Sequence, residues 1–384
     1  MAYLATARGK DVRPSGEHQL DRIGIGLIGT GNISSQYLKA ASSFPILEVR
    51  AVSDMNPDAA RARGAEFGIP AKSVADLLAD PAIDIVINLT VPGAHVPVSL
   101  QAVAAGKHVY SEKPFGISVA EARTLVDAAK AKGVRIGSAP DTFLGGAHQT
   151  SRKLIDEGAI GRPVAASAFF GCPGHERWHP NPAFYYLAGG GPILDMAPYY
   201  VTDIVNLLGA VRRVSAIATR PREERVIGSE PLKGQRIPVE VATHVAGTME
   251  TVGGAVVTLV MSFDMPKHRH LPIEVYGTEG AMLVPDPNFF DGQIEVAKTG
   301  GEWEPVPTQH GHAEHNLRIM GVADMATAIR SGRPHRANGD LAFHVLEVME
   351  AFQRSSDAGT HIDITTRPER PAMMPVHLKT GEFD

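Results

Sequence analysis

The sequence predicts an α/β fold in two parts: an N-terminal doubly wound parallel sheet, then a C-terminal α/β domain built on a large, mostly antiparallel, open sheet. Three observations lead there. Short apolar strands alternate with helix-length segments between residues 22 and 140, the pattern of parallel strands covered on both faces. After residue 210 come segments in which apolar and polar residues alternate, as in antiparallel strands with one wetter face. At 384 residues the chain is long enough for two domains, each with its own core.

In chain order, "RIGIGLIG" reads as a strand, "TGNIS" as a turn and "SQYLKAASSF" as a helix, followed by the strand "LEVRAVSD". The strand "DIVINLTVP", the helix "HVPVSLQAVAAG", the strand "KHVYSE", the helix "SVAEARTLVDAAKAKG" and the strand "VRIGSAP" complete the first half. In the second half "VRRVSAIATR", "VEVATHVAGTMET", "GAVVTLVMSFDM" and "LPIEVYGTEG" read as strands of one antiparallel sheet. Two late helices are "RIMGVADMATAIRSG" and "GDLAFHVLEVMEAFQRS". In the latter Leu341, Val345, Val348, Met349 and Phe352 recur at helical spacing and mark core.

Composition excludes several partner classes. Hydrophobic residues make up 43% and charged residues 21%, an ordinary globular balance, and the net charge of −5 disfavours nucleic acid and anionic membrane surfaces as partners. Cys172 is the only cysteine, which points to a reducing compartment. The polar first 20 residues, broken by Gly and Pro, read as an extension with no signal-peptide core, and no apolar run nears bilayer length. A cytoplasmic protein is expected.

Two glycine strings compete for one role. "GIGLIG" lies inside the strand, where no helix end can face a phosphate. Gly29-Thr30-Gly31-Asn32-Ile33-Ser34 sits where strand turns into helix. There Gly29 permits the tight turn, Gly31 lets the backbone approach a pyrophosphate, and Asn32 and Ile33 border it. Ser34 stands where Gly or Ala is usual. A strand turn with no ligand would share this spacing. Asp54 ends the second strand about 20 residues on, placed to accept hydrogen bonds from an adenine-ribose 2′-hydroxyl and to repel a 2′-phosphate. NAD is therefore expected over NADP, with a solvated strand end or cap as the plain alternative for Asp54.

"AAGKHVYSEKPFGISVAEA", residues 104–122, together with "GLIGTGNIS", "TVPGAHVPVSLQAVAAGKHV", "GAIGRP", "GGGPILD" and "IEVYGTEGAM", strongly resembles the Gfo/Idh/MocA oxidoreductases. The resemblance implies a Rossmann domain for NAD over residues 21–144. It also implies a substrate-binding and oligomerisation domain over residues 145–384, with sugars or cyclitols as substrates and a homo-oligomer, dimer or tetramer, joined through the open sheet. It makes Lys113 of "EKP" the catalytic lysine and Glu112 its neighbour at the nicotinamide site, and sets Thr90, Pro92 and His95 beside the cofactor. Taken alone, "EKP" is also what a surface lysine before a turn looks like, and His95 could face solvent at a helix start. An X-Pro bond there can be cis, and a lysine pKa falls readily on burial.

The glycine run "GGGPILDMAPYY" departs from the family's usual Asp-x-x-x-His, with Asp195 and then Tyr199. On one helix Asp195, Tyr199 and Asp203 would share a face, with Pro198 in the first turn. Tyrosine accepts a proton near neutral pH only beside positive charge, which Lys113 could supply. The expectation is that Lys113 and Tyr199 share the substrate hydroxyl proton while Asp195 orients substrate or holds Lys113. The plain alternatives are a packed tyrosine ring and an acid complementing a helix N-terminus. Trp178 and His179 of "GHERWHPNPAFYYLA" are expected to contact substrate, ahead of His175, Arg177 and Asn181. The "KHRH" and "QHGHAEH" tracts carry no supported metal pattern, so no metal is expected, although His268, His270 or His315 could meet substrate.

The resulting expectation is NAD-dependent oxidation of a secondary hydroxyl of a sugar, sugar derivative or cyclitol. The alternatives are an NAD-retaining glycosidase or lyase acting through transient oxidation, and a non-catalytic nucleotide-binding regulator.

Overall fold

A computed structural model describes residues 22–384. The expected N-terminal extension lies outside the described residues. The first sheet is made of β1 (Ile23–Ile28), β2 (Leu47–Ser53), β3 (Ile85–Asn88), β4 (His108–Ser111) and β5 (Ile136–Ser138), all parallel, in the order β2-β1-β3-β4-β5. Its helices are α1 (Ser34–Ala41), α2 (Pro57–Phe67), α3 (Val74–Ala79), α4 (His95–Ala104) and α5 (Val119–Lys132). Every residue of β1 and β3 is buried, as a sheet covered on both faces requires. Strand order reverses between β1 and β3, which opens a crevice at their carboxyl ends.

The second half contains α6 (Gly146–Asp156), β6 (Pro163–Gly171), α7 (Gly191–Asp195), α8 (Ala197–Leu208) and β7 (Val211–Thr219). After them come the small hairpin β8 (Glu224–Val226) and β9 (Arg236–Pro238), then β10 (His244–Thr251), β11 (Val256–Ser262), β12 (Ile273–Gly277), β13 (Gly280–Val284), β14 (Ile294–Lys298) and β15 (Glu304–Val306). α9 (Met320–Ser331), α10 (Gly339–Ala358) and β16 (Ile362–Asp363) end the chain's regular structure. The large sheet has nine strands in the order β15-β14-β13-β12-β6-β11-β10-β7-β16, antiparallel except for β6 with β11. Strand β6 does not stand out in the sequence. Its small residues, "PVAASAFFG", give a weak strand signal, yet it occupies the middle of the sheet.

The buried apolar residues of both sheets form one contiguous core. α10 joins the halves: Glu350 Oε2 accepts from the Val119 amide at 2.8 Å and so caps α5, while the other face of α10 packs on β7. The tail lies over its own chain. Phe383 packs against Phe44 and His312, and the Asp384 carboxylate meets Arg336 at 2.8 Å. This arrangement sets the β1/β3 crevice directly opposite the start of α8.

Candidate active site

The glycine loop is the first wall. Gly29 has φ +100°, and a Cβ there would stand 2.6 Å from the Leu89 backbone, so both conformation and the neighbouring strand end demand glycine. Gly31 differs. It lies outside the left-handed region, and a Cβ would meet nothing within 4 Å. Nothing in the protein requires glycine at that position, so the open space suits a ligand that needs close backbone approach. Ser34 is buried and its hydroxyl donates to the Gly31 carbonyl at 2.6 Å, so serine at the third position closes the loop. The N-terminus of α1 behind it has no side-chain cap and no acid in its first turn, leaving the positive helix end for phosphate. These features fit a dinucleotide. Gly31→Val is therefore expected to leave Tm unchanged while weakening NADH binding at least about tenfold, read by fluorescence titration, because one methyl-sized clash is worth ~1–3 kcal/mol.

Asp54 is tied to this loop. Its Oδ2 accepts from the Thr30 amide at 2.7 Å and the Thr30 hydroxyl at 2.9 Å, and its Oδ1 from the Asn56 amide at 2.9 Å. Partial burial alone would raise its pKa, but these bonds outweigh it and hold the carboxyl below the ordinary aspartate value. Arg63 of α2 reaches the Gly31 carbonyl at 3.4 Å while paired with Glu66. Only the folded helix brings it to the loop.

The cleft beyond the loop has a volume of about 340 Å³ and is walled by Ile33, Thr90 and Pro92 on one side and by Tyr185, Asp195 and Tyr199 on the other. Lys113 stands between them after β4, and its peptide bond to Pro114 is cis. Its Nζ donates at 2.8 Å both to Asp195 Oδ1 and to the Asp195 carbonyl. The expected fall of the lysine pKa does not occur here. Burial pushes it down, but Asp195, Tyr199 and Glu112 outweigh burial and hold the ammonium above its usual range. Burial would likewise raise Asp195, yet Lys113 and His175 draw it down to about 2. The two form a partly buried ion pair that is charged at neutral pH.

Glu112 is fixed from two sides, accepting from the Tyr37 hydroxyl at 2.9 Å and from the Lys113 amide at 2.8 Å. His95 is neither solvent-facing nor free. Its ring is buried, with Nδ1 2.7 Å from the Pro114 carbonyl and Nε2 2.9 Å from the Thr90 carbonyl, so it ties together the two loops that border the cleft. Burial lowers its pKa against the pull of those carbonyls.

The shared helical face of Asp195, Tyr199 and Asp203 is corrected by the fold. The helix breaks at Met196, so Asp195 ends α7 while Pro198 and Tyr199 stand in the first turn of α8. Tyr199 still reaches the cleft, with Lys113 Nζ 5.3 Å from its ring centroid. Asp203 turns into the core, bonded to His148 Nδ1 at 2.8 Å. Beside the Tyr199 hydroxyl, at 3.4 Å, stands Arg318 Nη2, which sequence reasoning does not single out.

The aromatic loop is ordered differently from expectation. Trp178, 60% exposed, and His179 do not line the cleft; they stand behind His175, Phe184 and Tyr185, because the run stacks with Phe184 and Tyr185 innermost. His175, ranked lower from the sequence, lies with Nε2 3.3 Å from Asp195 Oδ2. Its backbone amide donates to the Tyr186 hydroxyl, itself bonded to Glu176, and Glu176 pairs with the buried Arg225. His268 and His270 pack on Phe169, and His315 pairs with Asp291; none lines the cleft. Among the described residues no three His, Cys, Asp or Glu side chains gather as metal ligands, and no helix is long and apolar enough to cross a membrane.

Comparison with known proteins adds two family matches. Residues 23–139 match the model described as oxidoreductase family, NAD-binding Rossmann fold, and residues 148–283 match the GFO/IDH/MocA C-terminal domain. The chain is 31% identical over 264 residues to a 1,5-anhydro-D-fructose reductase of Ensifer adhaerens, spanning 67% of this chain and 74% of that protein. It is 26% identical over 292 residues to a levoglucosan dehydrogenase of Pseudarthrobacter phenanthrenivorans, spanning 69% and 74%. A solved structure of levoglucosan dehydrogenase in complex with NADH shares the fold, with a TM-score of 0.79 at 22% identity over 90% of this chain and 100% of that one.

Proposed function

This chain belongs to the Gfo/Idh/MocA oxidoreductases and is an NAD(P)-dependent dehydrogenase acting on CH–OH groups, and from that premise we propose that it oxidises a secondary hydroxyl of a sugar, sugar derivative or cyclitol. The observation that carries the reading is the Lys113–Asp195 pair at 2.8 Å, facing Tyr199 in one cleft. When bound, NAD supplies the hydride acceptor. The protein supplies the rest. Asp195 occupies two of the three Lys113 donors, which leaves the third for the substrate hydroxyl oxygen. That contact strengthens as the oxygen gains negative charge. Tyr199 takes the hydroxyl proton, and Tyr185 and Phe184 offer apolar faces to ring C–H groups. His175 Nε2 stands 3.3 Å from the second Asp195 oxygen, on the side of the carboxylate away from Lys113.

We infer a homo-oligomer joined through the open face of the large sheet, a reading supported by the exposed Ile217, Val256 and Tyr276, and a cytoplasmic protein, supported by the single cysteine. The functional test is NADH absorbance with a panel of inositols, hexoses, pentoses and glycosides, run with NAD and with NADP. Steady NADH from one polyol, absent with NADP, is the expected result and supports the role given to Asp54. Sugar release from a glycoside with no NADH would overturn it in favour of transient oxidation.

A further inference from the structure

The charges around Tyr199 do not balance. Lys113 is neutralised by Asp195 and sits over the tyrosine ring rather than beside its oxygen. Arg318 is beside the oxygen, and among the described residues no carboxylate forms an ion pair with it. Its Nη2 donates to Asn288 Oδ1 at 2.9 Å and lies 3.4 Å from the Tyr199 hydroxyl, while Nη1 is 3.4 Å from Asn316 Oδ1. These partners hold the fork in place without offsetting its charge.

The backbone aims it. Ile319, next in the chain, is buried with φ +103°, a conformation β-branched residues rarely adopt. It is held there because the amides of Ile319 and Gly321 both donate to Asp141 Oδ2, at 3.2 and 2.8 Å. Asp141 follows β5, so the first sheet fixes where the arginine of the second half points. The charged and titratable groups around Tyr199 and Arg318 come from both halves of the chain, with Asp141 after β5 among them. Lys113 and Glu112 lie after β4, Asp195 ends α7, Tyr185 precedes α7 and Arg318 precedes α9. Tyr37 of α1 and the Asp203–His148 pair stand behind them. Glu112 and Asp195 oppose a phenolate, and Lys113 chiefly cancels Asp195.

We propose that Arg318 is the positioning residue that makes Tyr199 the proton acceptor, stabilising the phenolate and holding its oxygen toward the substrate. The inference rests on the reading of Tyr199 as that acceptor. In the step, the substrate O–H proton passes to the Tyr199 oxygen while the C–H hydrogen leaves with its electron pair as hydride, for which NAD would be the acceptor, so the phenolate becomes neutral phenol beside an unchanged guanidinium.

The test compares the native holoenzyme with Arg318→Gln and Arg318→Lys, using Tyr199→Phe as the blank for near-ultraviolet tyrosinate absorbance against pH. Arg318→Gln is expected to move the Tyr199 signal, and with it the rising limb of kcat, upward by about one pH unit or more. Arg318→Lys, which keeps the charge, should restore most of the native position. An Arg318→Gln signal that coincides with the native one overturns the proposal while leaving Tyr199 as acceptor. A signal that moves without kcat following overturns the reading of Tyr199 and the proposal together. Should Arg318→Gln fail to fold, Arg318→Met, which also removes the charge on an unbranched chain, takes its place, with the same upward shift expected and a signal coincident with the native one overturning the proposal.

Discussion

Turnover by the Tyr199→Phe protein is expected to fall by about 10² or more, the usual range for losing a positioned acid–base group, with NADH affinity unchanged. The structure makes this a clean substitution. The tyrosine is 7% exposed, its ring belongs to the core cluster, and among the described residues its hydroxyl has only the 3.4 Å approach of Arg318 to lose. Phenylalanine keeps the ring and the packing, so Tm should stay within about 2 °C, in line with a stability change under ~1 kcal/mol. A kcat equal to the native value would remove Tyr199 from the mechanism.

Lys113→Met should have the larger overall effect, because it touches both chemistry and stability. The kcat loss is expected to be about 10³ or more, as one charged donor to the reacting oxygen and its effect on Tyr199 go together. Stability should fall by about 3 kcal/mol, the cost of leaving Asp195 in the cleft without its partner. The pH dependence has a definite sign. Asp195 titrates at about 2 in the folded protein, below its unfolded value near 4, so its contribution is complete above about pH 4 and is lost as pH falls toward 2. The native protein should lose stability across that window, and the Lys113→Met protein should lose less. Equal slopes in acid denaturation would mean that the pair contributes nothing.

Much of the site was legible because its determinants are local. Gly29 and Gly31 are legible because a strand-to-helix turn that binds a pyrophosphate needs them within three residues. Lys113, Asp195 and Tyr199 stand in short strings whose spacing carries across the family. The single face for Asp195, Tyr199 and Asp203 failed for a physical reason: helical periodicity assumes an unbroken axis, and the break at Met196 leaves Asp195 on a separate helix, while Asp203, a turn deeper along α8 than Tyr199, meets His148 in the core. Arg318 and His175 were out of reach of periodicity. Arg318 meets Tyr199 across 119 positions of chain, and the strained Ile319 that aims it leaves no mark in the residue string. His175 gains its role from Glu176 and Arg225, whose pairing exists only once β8 has folded over the loop. Strand β6 was missed because alanine and serine carry little strand signal, and its neighbours on both sides supply the burial it lacks.

The most direct measurement follows a deuterium from substrate to cofactor. A polyol labelled at the carbon that is oxidised is turned over with NAD, and the free NADH is weighed. Hydride transfer assisted by Lys113 and Tyr199 predicts NADH one mass unit heavier, with the hydroxyl proton released to solvent. Label that is lost to water, or that remains in the sugar with no free NADH formed, would contradict it.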